Sequence, residues 1–126
     1  MNRIKREVFV ELLVIQAQCG DPRAIGSLAT VFQHELLAYS FRLVGDSHIA
    51  RDVVQEVWVS VMRGIGRLSD PASFRAWLFR IVHNKSMDSL RAIVRDRSEL
   101  DNFRRSSEGK TMEAYVLFIG KVSQLL

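Results

Sequence analysis

Three histidines and one cysteine are the side chains best suited to covalent or proton-transfer chemistry in this sequence. His34, His48 and His83 fall in three separate stretches of helical pattern, and none belongs to an HExxH-type spacing that would set two imidazoles around a metal. Cys19 is the only cysteine, so the sequence offers neither an internal disulfide nor a second thiolate for a zinc ligand set. There is no GxxxxGK phosphate cradle and no nucleophile elbow. The residues therefore predict a protein that is not an enzyme and takes no metal or cofactor.

What the spacing does offer is recognition. Asp52 and Glu56 lie four residues apart, on one side of a helix, with Gln55 beside them. Val54, Trp58, Val61 and Ile65 fall on the other side. An acidic patch backed by a bulky stripe suits docking of a basic helix, and it equally describes an ordinary solvated amphipathic face. Further on, at about 100° per residue, Trp77, Arg80, Asn84, Asp88, Arg91 and Arg95 share one flank, while Phe74, Leu78, Ile81 and Val82 point inward. An aromatic ring beside guanidinium groups can stack an unpaired base and hold its phosphates, and Asn84 can add a hydrogen bond to a base edge. The plain alternative is a half-buried tryptophan among solubilising arginines. Between the two helices, Gly64 to Ser73 has two glycines and two serines, the small polar groups that a pocket for a flipped base needs, although most such loops build none.

These groups need helices to position them. Apolar residues recur at helical spacing over about Glu7 to Ala17, through Val8, Leu12, Leu13 and Ile15, before Cys19-Gly20 stops the pattern. Asp21-Pro22 then reads as an N-cap and first-turn proline. A second helix follows to about Leu43, with Ile25, Leu28, Phe32, Leu36, Leu37, Tyr39 and Phe41 as candidate core. Gly45-Asp46 ends it tightly and folds the third helix, about His48 to Met62, back against it. After Gly64 and Gly66, Ser69-Asp70-Pro71 restarts the chain into a fourth helix reaching about Val94. Ser98 to Lys110 is polar and serine-rich, as in a linker. Met112 to Leu126 is apolar enough for a short helix through Tyr115, Leu117, Phe118, Ile119 and Val122, with Gly120 interrupting it. The expected fold is all-α: a compact bundle of about four helices over residues 7–97, then a linker and apolar tail over 98–126.

A chain of 126 residues with 48% apolar and 25% charged residues suits one soluble folded core. Arg3, Lys5 and Arg6 are followed by Glu7 and Glu11 within the first apolar stretch, which is unlike a secretory signal. No run approaches the roughly 18 apolar residues of a membrane helix. The expected location is cytoplasmic, without membrane insertion. Net charge is +4, and from Arg75 to Arg105 eight cations face four acids, a distribution that permits a polyanionic partner.

Two long blocks resemble a specific family. Gly45-Asp46-Ser47-His48-Ile49-Ala50-Arg51-Asp52-Val53-Val54-Gln55-Glu56-Val57-Trp58 is similar to the "GD…AxDxxQExF" signature of region 2 in the extracytoplasmic-function (ECF) branch of the sigma-70 factors. Phe74-Arg75-Ala76-Trp77-Leu78-Phe79-Arg80-Ile81-Val82-His83-Asn84-Lys85-Ser86-Met87-Asp88-Ser89-Leu90-Arg91 resembles its "FRAWLYRIAxNxxxDxLR" block, and Gln18-Cys19-Gly20-Asp21-Pro22-Arg23-Ala24 is similar to its "GDxxA" opening. The resemblance spans about residues 8 to 97. It implies that Asp52, Gln55 and Glu56 dock on the clamp helices of the largest catalytic subunit of core RNA polymerase. It further implies that the loop with Ser69, Asp70 and Ser73, and the helix with Phe74, Arg75, Trp77, Arg80, Asn84, Asp88 and Arg91, recognise and open the promoter minus-ten element. The non-template strand would then be held through a flipped base. An anti-sigma factor is a further partner that the resemblance allows.

The sequence departs from the pattern in three places. Arg51 stands where the family usually has an acid. The arginine string after Leu90 is diluted by Ala92, Ile93, Val94 and Asp96. After Asp96 nothing resembles region 4, the domain that reads the minus-thirty-five element, so the expectation is a fragment or a natural truncation. Two functions stay open: an initiating sigma factor, and a polymerase-binding regulatory or vestigial protein that occupies the clamp helices without productive initiation.

Overall fold

The computed structural model describes residues 2–104. They form an all-α bundle: α1 (Arg3–Gln18), α2 (Pro22–Val44), α3 (Ser47–Gly64), two single 3-10 turns (Ile65–Arg67 and Pro71–Ser73), and α4 (Phe74–Arg104). The expectation of a short helix within 112–126 lies outside the described residues.

Side-chain caps set the helix starts. The Asn2 carboxamide accepts from the Lys5 amide, Asp21 from the Arg23 amide with Pro22 in the first turn, and Asp46 from the His48 and Ile49 amides. Each occupies backbone donors that have no helical partner. Gly45 closes α2 at φ 74°, a left-handed conformation that favours glycine, and its amide donates to the Phe41 carbonyl at 2.8 Å. That turn reverses the chain and lays α3 against α2.

Contacts along the helices give their directions. Phe32 meets Phe74, Tyr39 meets His83, Ser40 meets Ser86, and Leu43 and Val44 cluster with Leu90. The numbers rise together, so α2 and α4 run the same way. Arg6 reaches Glu35 while the far ends of α1 and α2 are joined by a short turn, so that pair is antiparallel. The main core joins Val10, Leu13 and Val14 of α1 to Leu28, Phe32 and Leu36 of α2. It continues through Val53, Val54, Val57 and Val61 of α3 and Phe74, Leu78 and Val82 of α4. Burying such side chains stabilises by about 1.5–3 kcal/mol each, so the faces they occupy fix which residues stay outside.

Several expectations are corrected here. In α1 the structure buries Val10, Leu13 and Val14 and leaves Val8, Leu12 and Ile15 exposed. The helix is the one expected, but it has two apolar faces, and of the residues whose spacing marked it only Leu13 faces the core. Phe41 of α2 is also exposed. The fourth helix does not start at Pro71: Asp70 caps a 3-10 turn first, and α4 begins at Phe74. It then continues to Arg104, past Val94 and through the first residues read as linker, as a regular helix whose later turns are largely polar.

Candidate nucleic-acid and protein interface

Because Ala50, Val53, Val54, Val57 and Val61 bury one side of α3, Asp52, Gln55 and Glu56 are turned to solvent. None of the three makes a hydrogen bond or ion pair with a described residue. Their full charge and hydrogen-bonding capacity face outward. Arg51, also exposed, precedes them. Trp58 is half-buried, and its indole donates to Gln33 at 3.3 Å, tying α3 to α2.

The connection between α3 and α4 is pinned from outside. The Gln18 side chain donates to the Ile65 carbonyl at 2.9 Å and to the Leu68 carbonyl at 2.8 Å. One carboxamide from the end of α1 therefore holds both sides of the turn. Ser69, Asp70 and Ser73 are exposed; Asp70 accepts from the Ala72 amide at 3.0 Å and from the Ser73 hydroxyl at 3.4 Å. The two hydroxyls stay accessible, while the Asp70 carboxylate is engaged in holding its own turn.

On α4 the expected flank exists. Trp77 is half-buried, and Arg80, Asn84, Asp88, Arg91 and Arg95 are exposed. The Trp77 ring packs on Phe74 at 5.9 Å between centroids and lies over Gly64, where an added Cβ would sit 3.0 Å from ring atom Cζ2. A side chain at position 64 would thus push the ring away. Beside it a shallow cavity of about 350 Å³ is lined by Ser60, Arg63, Gly64, Arg67 and Trp77. Arg80 and Asn84 form no hydrogen bond or ion pair with described residues, whereas Arg91 is paired with Asp88 at 2.9 Å.

Two predicted contact residues have other work. Phe74 is fully buried between Phe32 and Trp77, so it belongs to the core and cannot touch DNA directly; its place at the start of an apolar stripe, facing Phe32, is the reason. Arg75 donates to Glu35 at 2.9 Å and lies over the Phe32 and Phe79 rings. Glu35 also accepts from Arg6 at 2.6 Å. Burial pushes the Glu35 carboxyl up, but the Arg6 hydrogen bond and the charges of Arg75 and Arg6 outweigh it and hold the group below its usual range. Sequence reading missed Glu35, Arg6 and Gln18, because each pairs with residues 29 to 50 positions away. Arg63 and Arg67 were missed too, although their nearness to the glycines of the turn was a signal.

Among the described residues no group of histidine, cysteine and acids could hold a metal, and no helix is long and apolar enough to cross a membrane.

Comparison with known proteins agrees with this architecture. The family model for sigma-70 region 2 matches residues 28–96. The RNA polymerase sigma-H factor of Pseudomonas aeruginosa is 36% identical over 90 residues, covering 71% of this chain and 46% of that protein. The ECF RNA polymerase sigma factor SigW of Bacillus subtilis is 25% identical over 114 residues, covering 90% and 60%, and the ECF RNA polymerase sigma-E factor of Escherichia coli 30% over 100 residues, covering 74% and 52%. No solved structure gives a significant match. The chain belongs to the sigma-70 region 2 family. Within it, the chain is a region 2 of the ECF type, a non-enzymatic module, and it spans about half the length of the curated relatives it matches.

Proposed function

We propose that this chain is the part of an ECF sigma factor that grips core RNA polymerase and opens the promoter minus-ten element in transcription initiation. Asp52, Gln55 and Glu56 dock on the clamp helices of the largest catalytic subunit. Trp77, Arg80 and Asn84, with Ser69 and Ser73 of the adjoining turn, hold the separated non-template strand. Asp70 shapes that turn, Asp88 sets the conformation of Arg91, and Arg75 positions the start of α4. The reading places the protein in the cytoplasm with the polymerase, and an anti-sigma factor would compete for the same surfaces.

The observation that carries it is that the acids of α3 and Arg80 and Asn84 of α4 are exposed and unengaged among the described residues, on two helices locked together by one core. Unpairing a few base pairs costs a few kcal/mol, which a site binding only the extruded base offsets selectively. Cationic contacts to phosphate add salt-sensitive affinity that is indifferent to sequence.

A second reading is a protein that occupies the clamp without initiating, and the exposed Arg51 beside Asp52 favours it. Transcription in vitro with core polymerase and a random promoter library separates the two. An initiating factor yields transcripts with a common upstream hexamer and permanganate-reactive thymines. Core binding with closed DNA and no transcripts rejects initiation in favour of occupation.

A further inference from the structure

Gln18 is the last residue of α1, and its carboxamide meets the chain 47 and 50 residues further on. The side-chain nitrogen donates to the Ile65 carbonyl at 2.9 Å and to the Leu68 carbonyl at 2.8 Å. A primary amide carries two N–H hydrogens, and here two carbonyl oxygens accept them. Turning the amide over would set a third acceptor against those oxygens, so the nitrogen must face them.

The two acceptors bracket a 3-10 turn. Ile65 opens it, and its carbonyl also takes the Leu68 amide at 3.2 Å. Leu68 follows in extended conformation, at φ −66° and ψ 115°. The backbone hydrogen bond closes the turn, while the Gln18 amide ties the turn and its exit to one point on α1. That point is firm, because Val10, Leu13 and Val14 seat α1 in the main core.

The same turn carries a wall of the shallow cavity beside Trp77. Gly64 precedes the turn, Arg67 ends it, and both line that cavity. Gln18 does not line it. Whatever Gln18 does for a ligand there, it does through the backbone it holds.

We propose that Gln18 is a positioning residue for strand capture, whose amide fixes the backbone from Gly64 to Ser69. Arg67, Trp77 and the Ser69 hydroxyl then present one shape to the unpaired strand. The inference rests on the promoter-opening reading above and deepens it. Groups that touch a ligand need support from behind to within about 0.5 Å. A turn that samples several shapes binds more weakly, in proportion to the time it spends in the competent one.

The test uses two variants of the full chain. Gln18→Met keeps the side-chain length and removes both donors; Gln18→Glu keeps the shape but turns a carboxylate on the two carbonyl oxygens. Circular dichroism and thermal melting report the fold of each, and either variant alone suffices if the other misfolds. The first measurement needs no DNA. The peptide bond between Arg67 and Leu68 lies between the two held carbonyls, and trypsin cleaves after arginine. Limited digestion, with fragments resolved by mass, should cut there about tenfold faster in the variants, since cleavage requires local opening. Equal rates would overturn the proposal.

The second measurement is affinity for single-stranded promoter oligonucleotides with one abasic residue placed at each minus-ten position in turn. The wild type should lose about tenfold at the captured base, the scale of one stacked base. The variants should bind the intact strand more weakly and show no such position, with the salt slope unchanged because the phosphate contacts remain. A residue that only stabilised the fold would lower the melting temperature and leave the wild-type abasic profile in place. Faster cleavage beside an intact abasic profile therefore overturns the positioning role alone. A wild type with no position-dependent loss overturns the strand-capture reading, and this role with it.

Discussion

Arg75, the second residue of α4, donates to Glu35 of α2 at 2.9 Å, and the same carboxylate takes Arg6 of α1 at 2.6 Å on its other oxygen. One acid thereby ties three helices at the point where the chain leaves the turn that precedes α4. This makes Glu35 a stability residue next to the candidate DNA surface.

Glu35→Gln should lower unfolding free energy by about 1–2 kcal/mol, the scale of a lost charge-assisted pair that is partly solvated. Urea denaturation at neutral pH measures it. The folded-state carboxyl lies below its ordinary value, so its contribution is complete above the unfolded value near ~4.3 and is lost as pH falls through the lowered folded one. The wild type should therefore lose stability in acid more steeply than the variant, and parallel pH profiles would remove Glu35 as the cause.

Asp52→Arg with Glu56→Arg should abolish binding to core polymerase with helicity unchanged, since both side chains are exposed and have no partner among the described residues. A pull-down beside a circular dichroism spectrum checks it. Unchanged affinity would take the docking face away from α3.

Arg80→Ala and Arg75→Ala should separate cleanly. Removing Arg80 should leave the melting temperature within about 1 °C, as expected of an exposed side chain away from packed features. It should also reduce the slope of log affinity against log salt for a single-stranded promoter oligonucleotide by about 0.7, the loss of one phosphate contact. Removing Arg75 should lower stability through Glu35 and the Phe32 and Phe79 rings. Equal effects of the two on both measurements would contradict the division of roles.

Gly64→Ala should shift the Trp77 ring, because the new methyl would stand 3.0 Å from Cζ2. The expected signature is a changed tryptophan emission in a Trp58→Phe background and at least a threefold loss of single-strand binding, with core binding intact. Trp77→Ala is the poorer probe. It removes a half-buried ring packed on Phe74 and should cost about 2 kcal/mol of stability as well.

The helices were legible in the sequence because their caps are local. Asp21-Pro22 and Gly45-Asp46 each announce a boundary within two residues, and the structure places α2 and α3 there within two residues of expectation. The exposed faces of α3 and α4 were legible for the same reason, since 3.6-residue periodicity says which residues share a side. The buried face of α1 was not legible, because Val8, Leu12 and Ile15 form an apolar stripe as good as the buried one, and periodicity alone cannot say which stripe meets the bundle. The packing roles of Arg75 and Phe74 were not legible because their partners, Glu35 and Phe32, are about 40 residues away. Contacts of that range depend on how helices pair.

Ser40 and Ser86 are fully buried and hydrogen-bonded to each other at 2.9 Å between α2 and α4. Two buried hydroxyls facing across the seam between α2 and α4 behave like a detent on a sliding shaft. Moving either helix by one turn would strand both in hydrocarbon, at about 1–3 kcal/mol for each unmatched group. An apolar pair would hold the helices together but tolerate neighbouring alignments. The serine pair therefore fixes how far along α2 the helix that carries Arg80 and Asn84 stands, through an atom pair that touches neither.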